Sequence, residues 1–204
     1  MTFDDHVVWI SNYNMAGILS SDFSYASDPL QLPGNDQVKH ENKLITNSFA
    51  LDERGGIYIV NSLYMCKVQW SGANKSFKLR WSNQYHAVEP SIYWGRFGPG
   101  SGSSPTLMGR TKDGLPEYVV ITDGARQMNI LFFDAETGEL VGREPVTFGN
   151  SRSSSQSEQS VVVSGYKATV VNNWFNELEV NKLCHVLKFV KKKTDSKWIS
   201  DKTV

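Results

Sequence analysis

Four short runs of β-branched and aromatic residues in this sequence end alike. His6-Val7-Val8-Trp9-Ile10 is followed by Ser11-Asn12, Ile57-Tyr58-Ile59-Val60 by Asn61-Ser62, Tyr118-Val119-Val120-Ile121 by Thr122-Asp123, and Ala168-Thr169-Val170-Val171 by Asn172-Asn173. Short apolar runs between clusters of Gly, Asn, Asp and Ser are the mark of strands joined by turns, and amphipathic helical spacing is nearly absent. Residues 176–184 (NELEVNKLC) are the one short helical candidate, and they read more as a loop. A unit recurring about every 50 residues constrains the fold strongly, because one such unit cannot bury its apolar face alone and must stack on its neighbours.

The most complete copy covers residues 118–141: an apolar strand, a polar turn at Thr122-Asp123-Gly124, a second strand, and a tight turn at Glu136-Thr137-Gly138-Glu139 leading to a third. Gly138 sits where a hairpin needs positive φ, and Asp134 and Thr137 are placed to hydrogen-bond the turn backbone. The copies align further. Short strands precede the second, third and fourth runs at residues 47–51, 104–108 and 159–163. Later strands follow at 64–68, 129–133 and 186–190, and outer ones at 77–81, 140–143 and 198–200. Four meandering antiparallel strands per unit predict an all-β fold, a β-propeller built of such blades. The expected organisation is one domain over 1–204, with a partial first blade at 6–45 and further blades at 46–100, 101–155 and 156–204. About four blades are visible, and closed rings have about four to eight, so the expectation is a shortened or partial ring. A compact four-blade ring, or a ring completed by a second copy, is the alternative; an incomplete ring would expose strand edges and invite self-association.

Twenty-one basic residues balance 21 acidic ones, which removes the electrostatic case for a general nucleic-acid binder. The charge is unevenly placed: seven Lys stand against Asp195 and Asp201 from residue 181 onward, as expected of an edge strand protected by lysines. Cys66 and Cys184 form neither a disulfide framework nor a metal cluster, and alternation along residues 64–68 makes Cys66 a buried structural thiol. No apolar run is long enough to span a membrane, and the acidic first ten residues do not read as a signal peptide, so a soluble protein is expected.

The strings Ser-Pro-Thr, Tyr-Val-Val-Ile-Thr-Asp-Gly and Leu-Phe-Phe-Asp-Ala-Glu-Thr-Gly-Glu-Leu-Val resemble a blade of the quinoprotein-like (PQQ-binding-type) β-propellers. GSGSSPTLMG (residues 100–109) and QSEQSVVV (residues 156–163) are similar to strings of a group of secreted or periplasmic-type propeller proteins. The resemblance covers residues 46–171 and implies the fold and an extracytoplasmic setting; it says little about chemistry.

In a propeller, the loop leading into each innermost strand and the turn after the second strand open on one face. That puts Asn47, Ser48, Ser104, Glu158 and Gln159 beside Asn12, Asn61, Ser62, Asp123, Asn172 and Asn173, with Arg126 reaching over the mouth. The loop of residues 85–103, carrying His86, Glu89, Tyr93, Trp94 and Arg96, would form a rim or lid. Asn, Asp and Ser also end strands because their side chains bond local backbone, so each polar pair has a purely structural reading. Their convergence on one funnel makes Asn61, Ser104, Asp123, Arg126, Glu158, Gln159, Asn172 and Asn173 the candidate ligand-binding set.

The leading expectation is a scaffold that binds a small polar ligand, a sugar-like compound or a partner segment at this funnel. Glu158, Asp123 and Asn172, with Asn61 and Asn173, are oxygen donors of the kind a Ca²⁺ ion takes, the ligand set that the resemblance to lactonase-type propellers implies. A metal-dependent lactonase or hydrolase, or a quinoprotein-like oxidoreductase, is therefore the alternative. The adjacent cysteine pair of many related dehydrogenases is missing, and Ser104 or Ser157 with one of His6, His40, His86 and His185 makes a weak case for nucleophilic catalysis.

Overall fold

The computed structural model describes residues 1–34, 45–87, 98–147 and 154–173, together with the strands His185–Lys191 and Trp198–Asp201. These residues form four antiparallel sheets and no helix, so no helix among them is long and apolar enough to cross a membrane. The first sheet holds β1 (His6–Ile10), β2 (Met15–Ser20) and β3 (Leu30–Gln31). The second runs β4 (Ala50–Leu51), β5 (Gly56–Val60), β6 (Tyr64–Ser71) and β7 (Ser76–Gln84). The third runs β8 (Thr106–Met108), β9 (Tyr118–Thr122), β10 (Asn129–Asp134) and β11 (Leu140–Pro145). The fourth contains β12 (Val162–Ser164), β13 (Lys167–Asn172), β14 (His185–Lys191) and β15 (Trp198–Asp201). Each strand pairs with the next in sequence, the meander of propeller blades. The innermost strand of the fourth sheet begins at Val162, later than the sequence reading had it, because Ser157 and its neighbours hold the loop before it.

Stacking explains why the central strands are apolar on both faces. Along β5, Ile57 and Ile59 pack with Val8, Ala16, Ile18 and Leu32 of the first sheet, whereas Tyr58 and Val60 pack with Val119, Ile121, Leu131 and Phe133 of the third. Along β10 the same alternation sends Leu131 and Phe133 back to the second sheet and Ile130 and Phe132 forward to Val161, Ala168 and Val170 of the fourth. A period of two thus divides each strand between two interfaces, and a one-residue slip would exchange them. Both the second and the third sheet carry a β-bulge, at Lys67/Val68 and Phe132/Phe133. Lys67 pairs with Tyr58 and Phe132 with Val120, so the two bulges occupy matching places and add the same local twist to both blades.

The hairpin after β10 locks one blade to the next. Asp134 Oδ1 accepts from the amides of Glu136 (2.9 Å) and Thr137 (2.8 Å), and Gly138 takes φ +77°. Trp81, on the outer strand of the second sheet, lies against Gly138 and donates its indole N–H to Ala135 O at 3.3 Å. Beside it Lys67, buried, bonds Ala135 O (2.9 Å) and Glu136 Oε2 (3.1 Å) and lies over the Tyr58 ring at 5.3 Å. At the first interface, Trp70 donates to Asp4 Oδ2 (2.9 Å) and stacks at a tilt on His6. Cys66 is fully buried, and burial pushes its thiol up to about 12, as befits a structural thiol.

Candidate functional site

The turns and leading loops at one end of the sheets are tied to each other residue by residue. Asn61, buried at the end of β5, uses both ends of its amide. Its Oδ1 accepts from the backbone of Leu63 (2.9 Å) and Tyr64 (2.6 Å), and its Nδ2 donates to Asn14 Oδ1 (2.9 Å) and Pro33 O (2.8 Å). Asn14 is the residue that sequence reasoning missed, having placed Asn12 there. Asn14 is fully buried at φ +67°, and its side chain donates to Leu32 O and Pro33 O, both at 2.8 Å. Asn is one of the few residues that tolerate that backbone while also supplying bonds, and this combination is the signal that singles it out. Asn12 is exposed.

Asp123 ends β9 in the same way, 1% exposed. Its Oδ1 accepts from the amides of Asn129 (2.7 Å) and Ala125 (3.2 Å), and its Oδ2 from the Asn129 side chain (2.6 Å). Burial nonetheless holds this carboxyl above the usual aspartate range, outweighing those bonds and the attraction of Arg143. In the fourth sheet Asn172 Oδ1 accepts from Gln156 N (3.0 Å), Asn173 Oδ1 accepts from Glu158 N (3.1 Å), and Asn173 N donates to Gln156 O (2.7 Å). Ser104 Oγ accepts from Ser48 N at 3.0 Å, and the Asn47 side chain donates to Ser101 O at 2.5 Å.

The loop of residues 98–104 is wedged between its neighbours. Tyr85, buried, donates its hydroxyl to Asn61 O and receives Ser101 N (2.8 Å); Ser103 Oγ receives Thr122 N (2.9 Å). A Cβ at Gly100 would meet the Tyr85 hydroxyl at 2.5 Å and the Ser62 backbone at 2.6 Å, and one at Gly102 would strike Ser157 O. The glycines of the GSGSS string therefore let three blades approach at this end. Sequence reading passed over Ser101 and Ser103; both are buried, and their alternation with Gly in that string was the available sign.

Among the expected site residues, Arg126 and Gln159 are exposed, and Ser104, Glu158, Asn172 and Asn173 are half-buried. The Arg126 Nε donates to Ser154 Oγ at 3.2 Å. His86 carries its backbone to this end, its carbonyl accepting from Gly124 N at 2.9 Å; Glu89, Tyr93, Trp94 and Arg96 lie outside the described residues, as do His40, Cys184 and residues 174–184. In the loop leading to the fourth sheet Ser155 and Gln156 are buried, and Ser155 Oγ donates to Val146 O (2.8 Å) and accepts from Met128 N (3.0 Å). Among the described residues no three of His, Cys, Asp and Glu form a group that could hold a metal ion. Asp123 and Asn172 direct their side-chain oxygens to groups of the tied loops.

At the opposite end a groove of about 630 Å³ opens between the second and third sheets, lined by Asp52, Lys67, Gln69, Trp70, Arg80 and Glu136 among others. Its floor is internally satisfied. Asp52 takes the amides of Arg54 (2.9 Å) and Gly56 (2.8 Å) and the Tyr58 hydroxyl (3.0 Å), and Lys67 bonds Ala135 and Glu136. That network joins the second and third blades.

No protein-family model matches the chain. An uncharacterised protein of Archaeoglobus fulgidus is 37% identical over 186 residues, which is 85% of this chain and 34% of that protein. The chain thus spans about a third of the length of the curated relative it matches. Among solved structures it is similar to BamB from Moraxella catarrhalis, at TM-score 0.51 and 14% identity over 82% of this chain and 45% of that one. It is also similar to a protein from Lactobacillus plantarum (0.53, 14%, 93% and 51%) and to the C-terminal domain of Pseudomonas aeruginosa PilY1 (0.56, 14%, 91% and 38%). Identities this low bear on the fold alone, and the fold is an all-β β-propeller of antiparallel meander blades.

Proposed function

We propose that this chain is a propeller scaffold that binds a small polar ligand, or a polar segment of a partner, at the funnel face. The observation that carries the reading is the cross-tying of the loops there. Asn61 bonds Asn14 across the first and second sheets and Tyr85 bonds Ser101 across the second and third, while Ser103, Asn172 and Asn173 hold the loops leading into the third and fourth sheets, and Arg126, Gln159, Glu158 and Ser104 stand there at least partly open to solvent. A surface ordered before binding avoids the entropy of ordering it afterwards, which is what a scaffold with modest contact area requires. The turn residues themselves serve to hold the loops, so recognition falls to the exposed guanidinium, the carboxamide of Gln159 and the peptide groups between them. That set suits hydroxyl-rich and carboxylate-bearing compounds.

The test is a thermal-shift and calorimetric titration of the chain with neutral sugars, uronic acids and short acidic peptides, repeated with Arg126→Ala and Gln159→Ala. The reading expects a carboxylate-bearing probe to raise the melting temperature of the parent chain, with at least a tenfold loss of affinity in Arg126→Ala. Binding that survives both substitutions, or no shift with any probe, would remove the funnel as the binding face.

A further inference from the structure

The β-bulge of the second sheet sets a charged side chain where no packing uses it. Lys67 pairs with Trp81 and Val68 with Leu79, so Arg80 is the extra residue between them. In the third sheet the matching extra residue is Val141, because Phe132 pairs with Gly142 and Phe133 with Leu140. The fold therefore asks for a bulge at this position and not for a cation. A bulge re-aims the side chain of its extra residue, and here Arg80 stands in the wall of the groove of about 630 Å³ between the second and third sheets, beside Lys67 and Gln69 of the neighbouring strand. That volume is of the size that holds a small molecule.

Pairing off the charges that line this groove leaves donors over. Each carboxylate is engaged: Asp52 by two amides and the Tyr58 hydroxyl, Asp4 by the Thr2 hydroxyl (2.5 Å) and the Trp70 indole (2.9 Å), Glu53 by Arg110 (3.4 Å) and Glu136 by Lys67 (3.1 Å). The guanidinium groups of Arg54 and Arg80, which line the same groove, have no hydrogen-bond or ion-pair partner among the described residues. The Lys67–Glu136 pair shows what such donors take. The Lys67 side chain is 7% exposed and that of Glu136 is 78% exposed, so a carboxylate standing almost wholly in solvent already reaches the ammonium at the floor. A contact with so exposed a partner is weak, and another carboxylate can take its place while Lys67 keeps its bond to Ala135 O. With Arg110 counted, the carboxylates and cations here balance, so no broad positive field draws in a highly charged anion; a singly charged, planar carboxylate held by a guanidinium in two bonds is the better fit. We propose that this groove is a second ligand site, taking a small carboxylate-bearing compound whose carboxylate lies against Lys67 and Arg80 in place of Glu136. The site is at the opposite end of the sheets from the funnel and stands independently of what the funnel takes.

The experiment titrates the chain with sodium benzoate and with sodium glutarate, against sodium chloride at matched ionic strength, and follows the indole N–H signals of Trp70 and Trp81 by NMR. Both report on the groove: Trp70 lines it, and the Trp81 indole shares Ala135 O with Lys67. The expected result is a saturable, millimolar shift of at least one of these signals with a carboxylate and not with chloride. Arg80→Ala should weaken the binding about tenfold, the worth of a charge-assisted bond. Glu136→Gln, which removes the charge of the internal competitor, should tighten it about threefold, the worth of an exposed ion pair. Arg80 and Glu136 are both exposed, so neither change threatens the fold. Signals that do not saturate, that move equally with chloride, or whose midpoint Arg80→Ala leaves in place overturn the proposal. An affinity that Glu136→Gln leaves unchanged or weakens overturns it too, since the carboxylate would then not take the place of Glu136.

Discussion

Gly138→Ala is expected to destabilise the chain through two separable effects. The backbone there sits at φ +77°, which costs an L-residue about 1–2 kcal/mol. The added methyl would also meet Trp81, with Cδ2 at 2.5 Å, Cε3 at 2.7 Å and Cγ at 2.8 Å, closer than real Cβ contacts come. Overpacking of that kind costs about 1–3 kcal/mol. Trp81 is half-buried and can swing outward, giving up its bond to Ala135 O, so this second part belongs toward the lower end. The sum is about 2–4 kcal/mol, measurable by urea denaturation followed by far-UV circular dichroism. A Trp81→Leu background removes the indole but not the φ, so there Gly138→Ala should cost only about 1–2 kcal/mol. An equal cost in both backgrounds would refute the contact between blades, and a loss below about 0.5 kcal/mol in either would refute the turn.

Two other substitutions separate roles among the turn residues. Asn61→Ala leaves the buried Asn14 Oδ1 without its donor and the Leu63 and Tyr64 amides without their acceptor, and should cost about 2–4 kcal/mol in urea unfolding. Asn173→Ala loses one half-exposed bond and should cost about 1 kcal/mol or less; equal costs would contradict the geometry. Asp123 predicts a pH effect of definite sign. Its raised native value means that, between that value and the ordinary aspartate range, the folded chain holds a proton that the unfolded chain has released. Stability contributed by this group therefore grows as pH falls through that interval and is flat below it. Asp22, held down to about 2 by the hydroxyls of Ser20 and Ser24 and the Ser24 amide, acts in the opposite sense, so the effect is read as the difference between the parent and Asp123→Asn. A difference that does not change with pH would show that the carboxyl is not raised.

The fold was legible because its physics repeats. Alternation, turn chemistry and four-strand spacing each pointed to stacked meander sheets, and the Asp134-to-Gly138 hairpin forms with the bonds its residues imply. The site was less legible, for a physical reason visible at Asn61 and Asp123. The groups that make a polar residue attractive as a ligand contact are the same ones that close a turn, and sequence does not reveal which partner takes them. Asn14 was hidden because its value lies in a left-handed backbone four residues beyond the strand end. Ser103 was hidden because its partner, the Thr122 amide, is distant in sequence.

Where the repeat is broken, the chain has more to say. Lys67 occupies in the second blade the bulge position that Phe132 occupies in the third: the strand partners are Tyr58 and Val120, and both side chains face the following blade. Phe132 meets an apolar surface there, whereas Lys67 meets the carbonyl of Ala135 and a carboxylate, so the ammonium is matched to one hairpin and would be stranded against another. Burying a cation is costly without such partners, which makes the second-to-third interface specific in a way the others are not. A repeat protein whose blades were interchangeable could stack them in the wrong order. Lys67 binds the second blade to the hairpin of the third. Lys67 is thus a departure from the repeat that favours one order of these blades.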